Sequence, residues 1–191
     1  MKNKILSIIL IGLFVYAFVP DSKPNKSSNH NYNVTIHRDS WGVPHIYGQT
    51  DNDAAFGLAY AHAEDDFDTI QDVLLALRGG LASVKGRELA PVDYLVGLLK
   101  VWETVENRYD TDLSQDVKDI CNAYADGINL YMEKFPDKIL GDLYPVSGKD
   151  IVAGFVFRVP LMFDFDWYLK EIMKETKDRK STRLNSSHNQ I

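Results

Sequence analysis

Cysteine is all but missing: Cys121 is the one thiol in 191 residues. It has no partner for an internal disulfide, and a cysteine-based metal cage is excluded. Positive charge is also short, with 21 lysines and arginines against 27 aspartates and glutamates, for a net charge of −6. Nucleic acid and anionic membrane surfaces both select basic patches, so neither is expected as the main partner. No apolar run reaches the about 20 residues that a spanning helix needs. There is no phosphate-binding glycine loop, no HExxH metalloprotease pair and no nucleophile elbow. What remains is an ordinary globular balance of 45% hydrophobic and 25% charged residues, in a chain long enough for one domain with a real core.

Both ends read as something other than that domain. MKNK supplies two lysines, and ILSIILIGLFVYAFV follows without a charge. A basic start and an apolar stretch of about 15 residues describe a secretory signal peptide better than an anchor. Residues 1–20 are therefore expected to direct export, with no stable membrane insertion. PDSKPNKSSNHN is rich in Ser, Asn, Pro and Lys, and residues 21–32 read as a flexible tether. At the other end DRKSTRLNSSHNQI has no apolar period. It resembles a translated sequencing adapter. Residues 178–191 are expected to be non-native, so His188 and its neighbouring serines are not recruited into any site.

Between these ends, VTIHRD alternates apolar and polar side chains, the period of a half-buried strand. Ser40-Trp41-Gly42 supplies a turn, and PHIYG resumes a short strand. A helix should start at Thr50, which can cap it, with Asp53 three places on completing a capping box. Phe56, Tyr60, Ala63, Phe67, Ile70, Leu74 and Leu77 then form one apolar stripe that Gly79-Gly80 ends. Gly57, Ala59 and Ala61 carry little bulk, so another backbone can come close. Asp93 to Glu106 is expected to be helical. A further helix is expected from Ser114 to Phe135, with Cys121 as a buried, inert thiol on its stripe. The last helix starts after Ser147-Gly148, and Pro160 should kink it.

Candidate chemistry is thin. His62 and Asp66 are four apart and share a helix face, but two ligands are not a metal site. The acidic run around them reads as a solvated face. His45 stands alone in WGVPHIYG, and a lone histidine at a strand start is expected to satisfy a local hydrogen bond.

The order of the segments carries more. VTIHRDSWGVPHIYGQTDNDAAFGLAYAHAEDDF, then ALRGGLASVKG, then AYADGINLYM, resembles the start of the penicillin acylase family of N-terminal nucleophile amidohydrolases, from about Asn33 to Lys174. The resemblance implies a precursor that cuts itself into an α and a β chain, with the β chain's new N-terminal residue as nucleophile and its own amine as base. It implies that residues 33–177 are a truncated α-chain-like domain, mainly α with a short N-terminal β element. In the complete protein that domain would be part of a four-layer αββα fold. The fragment alone is expected to be inactive, with no catalytic residue in it, and its partners would be the β chain and a small N-acyl amide. Position in KDIVAGFVFRVPLMF puts Val159 and Phe163 on the wall of the acyl pocket. The resemblance leaves room for calcium in the complete enzyme, but Glu171 is not at the matching place and no metal or other cofactor is assigned here. AEDDF departs from the family's arginine after the first aspartate. That leaves acyl-homoserine lactones, β-lactam side chains and acylated peptides all open as substrates. The competing reading is a non-catalytic secreted helical binding module.

Overall fold

The computed structural model describes residues 31–165 together with Trp167 and Glu171. The expected leader, most of the tether and the expected tail lie outside the described residues.

The chain opens in an antiparallel hairpin, β1 (Val34–Arg38) and β2 (Pro44–Gly48), with Ile36 opposite Ile46 and His37 opposite His45. Its three-residue loop closes through Gly42 N to Asp39 O at 3.0 Å and Asp39 N to Val43 O at 3.1 Å. Gly42 takes φ 83°, the left-handed conformation that such a loop requires. The hairpin's inner face sits on Gly57, where an added Cβ would come within 2.5 Å of Val34 and 2.9 Å of Ile46.

Helix α1 (Asp51–Leu77) starts at the predicted capping box: Thr50 accepts from Asp53 N, and Asp53 reaches back to Thr50 N. The predicted stripe faces inward, with Ala63, Phe67, Ile70, Leu74 and Leu77 buried. The continuous apolar period hides one break. Asp66 has φ −150° and ψ 55° inside the helix, and its carboxylate accepts from Thr69 N. It therefore serves as a cap for the second half. Gly79, at φ 67°, ends the helix.

A short helix, α2 (Leu81–Lys85), follows, then a 3₁₀ turn (Arg87–Leu89). The single helix expected over 93–106 is two, α3 (Ala90–Leu98) and α4 (Val101–Asp112). Lys100 lies between them at φ 52°, ψ 41°, a left-handed step that redirects the chain without interrupting the apolar pattern. Helix α5 (Gln115–Lys134) begins at Ser114 as expected. It crosses α1 at Gly127, whose added Cβ would lie 2.4 Å from Phe56 O and 2.8 Å from Ala59. Cys121 is buried, and burial raises its thiol pKa, as befits an inert core sulfur. Helix α6 (Gly148–Met162) completes the described elements. Pro160 falls in its last turn, so the expected kink becomes a stop: Phe163 N donates to Pro160 O, and Asp164 takes φ 59°.

Two cores result. One lies between α1, α5 and the segment carrying Leu143 and Val146; the other joins Leu77, α3, α4 and Ala153 of α6. No helix among the described residues is long and apolar enough to cross a membrane.

Candidate functional site

Helix α6 is launched by a second capping box. Ser147 N and Oγ both donate to Asp150 Oδ2, at 2.9 and 2.7 Å. The same carboxylate, on a residue only 3% exposed, receives Arg78 Nε at 2.9 Å and Nη2 at 3.1 Å. Arg78 donates further to the carbonyls of Asp142, Leu143 and Pro145. All five guanidinium donors are thus used. Asn129 completes the anchorage with a two-way bond to the backbone of Val146, and Gln71 Oε1 accepts from Leu140 N. The loop before α6 is therefore fixed, and so is the direction in which α6 projects.

That direction matters because α6 is apolar on more than one side. Ala153 is buried, and Val152, Val156 and Phe157 pack half-buried into the second core. Phe155, Val159, Met162 and Phe163 are exposed, Val159 by 48% and Phe163 by 76%. The two residues expected on the pocket wall thus share the outer face, with Arg158 exposed beside them. A helix apolar all round is normally covered all round.

The histidines have local partners. His45 Nε2 pairs with Asp39 Oδ2 at 3.2 Å, while Asp39 Oδ1 accepts from Trp41 N and Val43 N. The His45 hydrogen bond is the leading cause of a lowered Asp39 pKa, and the two backbone donors add to it. His45 thus braces the hairpin loop, as a local hydrogen-bonding role requires. His62 Nδ1 lies 2.8 Å from the Tyr124 hydroxyl, and Asp66 occupies the helix break. Among the described residues no three His, Cys, Asp or Glu side chains gather as metal ligands. Glu171 is half-buried.

Sequence reasoning missed Arg38, Arg78 and Asp150. Arg38 donates to Asp65, Glu64 and the Gly42 carbonyl, riveting the hairpin to α1. Asp150 had a readable signal, since Ser147 to Asp150 has capping-box spacing. Arg38 and Arg78 had none, because their partners are distant in the chain.

Comparisons with known proteins point to one family. The family model described as penicillin amidase matches residues 33–165. An acyl-homoserine lactone acylase, QuiP, of Pseudomonas fluorescens is 32% identical over 111 residues, covering 58% of this chain. The penicillin G acylase of Escherichia coli is 26% identical, covering 85% of the chain. This chain spans 14% of the length of the first relative and 19% of the second. The solved structure of a thermostable penicillin G acylase from Alcaligenes faecalis shares the fold, with a TM-score of 0.55 at 24% identity, over 71% of this chain and 76% of that one. On the match over residues 33–165, this chain belongs to the penicillin amidase family.

Proposed function

We propose that this chain is the α-chain portion of an exported amidohydrolase that cleaves the amide bond of small N-acyl substrates. The observation that carries the reading is the outer face of α6. Phe155, Val159, Met162 and Phe163 stand exposed on a helix whose other side is already packed. The cover is the β chain of the same precursor, and Val159 and Phe163 meet the acyl group where the two chains adjoin. Burying one side chain of this kind contributes about 1.5–3 kcal/mol, enough to select an acyl chain or an aromatic ring. Relatives named acyl-homoserine lactone acylase and penicillin G acylase support amide hydrolysis and leave the acyl group open.

The division of labour follows. The β chain's N-terminal residue attacks the amide carbonyl through its side chain, its own amine takes the proton, and the leaving amine departs before water releases the acid. Donors on the β chain hold the developing oxyanion. This chain supplies binding and position. Calcium takes six to eight oxygen ligands. The described residues bring no such set together, so no step is assigned to it.

The test is to read the source DNA past the codon for Lys177 and to express the complete frame. A mass spectrum with two chains, and release of amine from a panel of N-acyl substrates, is the expected result. A stop codon within a few residues, with a stable soluble monomer of residues 21–177, would hand the protein to the binding-module reading.

A further inference from the structure

The first turn of α6 leaves donors without acceptors. The first amides of any helix have no partner inside it. Here Asp150 N and Ile151 N donate to Ser147 O at 3.0 and 3.4 Å, and Ser147 N donates to Asp150 Oδ2. Gly148 N and Lys149 N make no hydrogen bond to another described residue. Gly148 is a buried residue, where an amide without a partner is rare.

A second group points at the same turn. Tyr109 of α4 is 8% exposed, and its hydroxyl makes no hydrogen bond to another described residue. A Cβ added to Gly148 would lie 3.0 Å from that oxygen. Cα–Cβ bonds tilt toward the start of a helix, so the hydroxyl faces the open end of α6. Burial raises the Tyr109 pKa, which keeps it a phenol with a proton to donate. Asn122 Oδ1 of α5 lies against the same glycine, so no larger residue fits at position 148. Lys118 Nζ and Lys149 Nζ lie over the Tyr109 ring, 5.6 and 5.7 Å from its centroid. Lys149 also meets Glu106 at 2.6 Å, and Lys118 meets the Asp110 carbonyl at 3.1 Å and its carboxylate at 3.6 Å. Asp150 is held by Arg78. Each of these carboxylates thus has its own cation. What is left over is the positive end of the α6 dipole and three donors.

We infer that the first turn of α6 binds one small tetrahedral oxyanion of the phosphate class, held by Gly148 N, Lys149 N and the Tyr109 hydroxyl. Its oxygens diverge, so one can meet the amide pair while another meets the phenol on α4. Helix α6 is 15 residues long, so about 22 Å of helix separate this turn from Phe163. The site therefore lies apart from the residues assigned to the acyl group and stands or falls independently of amide cleavage.

Titrating the nitrogen-15-labelled 191-residue chain with inorganic phosphate tests it, at an ionic strength held constant with chloride. The Gly148 and Lys149 amide signals should shift together and saturate. Acetate should bind at least about fivefold more weakly. Tyr109→Phe is the sharper arm. In chloride it removes a buried hydroxyl that has no partner, so its urea midpoint should equal or exceed the parent's. It should weaken phosphate binding about tenfold. Phosphate should therefore raise the parent's midpoint more than the variant's, whereas general salt effects act on both alike. Shifts that grow without saturating mean an adventitious ion only and overturn the inference. Equal phosphate affinity in Tyr109→Phe and the parent overturns it as well. So does a variant midpoint well below the parent's in chloride, since water would then already serve the hydroxyl. Acetate bound as tightly as phosphate counts against a tetrahedral ligand.

Discussion

Arg78 joins three parts of the chain, and removing it should cost more than any surface change. In Arg78→Met, Asp150 keeps its bonds to Ser147 but loses both guanidinium bonds, on a residue 3% exposed. The carbonyls of Asp142, Leu143 and Pro145 lose their donor as well. Water can replace it at Asp142 and Pro145, which are exposed, but not at buried Leu143. Breaking a buried ion pair from one side costs about 3–5 kcal/mol. The Arg78 side chain is itself 27% exposed, so the low end, about 3 kcal/mol, is expected. In a chain of this size that corresponds to about 6–12 °C in Tm. Arg78→Lys keeps the charge without the planar fork and should lose about 1–2 kcal/mol. Urea unfolding followed by circular dichroism at 222 nm measures both. A cycle with Asp150→Asn should show a coupling of at least about 1 kcal/mol. A loss under about 1 kcal/mol for Arg78→Met, or strict additivity in the cycle, refutes the clamp.

Gly127→Ala should destabilise by about 2 kcal/mol, because its Cβ meets the Phe56 carbonyl at 2.4 Å. Gly97→Ala, with nothing within 4 Å, should stabilise by up to about 1 kcal/mol; the two urea midpoints must move in opposite directions. Asp53 has a lowered pKa, caused first by the Asn33 amide and then by the Thr50 hydroxyl. Its stabilising contribution is therefore complete above the unfolded carboxyl value of about 3.9 and is lost as pH falls through the lower folded value. Urea midpoints from pH 7 to pH 3 should fall at the acid end, and Asp53→Asn should flatten that fall. Phe163→Ser and Val159→Ser should leave the short chain's stability within about 0.5 kcal/mol while, on the proposed function, changing the acyl preference of the complete protein, read as kcat/KM across chain lengths.

What could be read from the sequence was local. The Thr50–Asp53 box, the Ser114 cap and the Gly42 turn each depend on residues within a few positions, and all three are where the pattern put them. The break at Asp66 was invisible because Ala63, Phe67 and Ile70 keep the helical period across it. The break at Lys100 was invisible because no glycine or proline marks it and apolar residues continue on both sides, with Val96, Val101 and Val105 all reaching the core. The anchors of the loop before α6 were beyond reach: Gln71 to Leu140, Arg78 to Asp150 and Asn129 to Val146 join points 69, 72 and 17 residues apart. No period or spacing announces such pairs. The apolar character of α6 was plain in the sequence, but which of its faces stays open depends on where α1, α4 and α5 lie.

The distribution of satisfied and unsatisfied groups separates two kinds of residue. Arg38, Asp39, Asp53, Arg78, Asn129 and Asp150 find their partners within the described chain. The apolar side chains on the outer face of α6 do not. The first group makes the hairpin, α1 and α6 rigid before anything covers them, which lowers the entropy lost when a cover arrives. The second group is where the proposed cover would sit. Substitutions should divide along the same line. Arg78→Met should weaken the short chain and the complete protein by similar free energies, because its contacts are the same in both. Phe163→Ser should be silent in the short chain and costly only in the complete protein, where the ring would be buried. Parallel urea titrations of both forms decide it, and a Phe163→Ser loss of equal size in the two would mean that α6 is never covered.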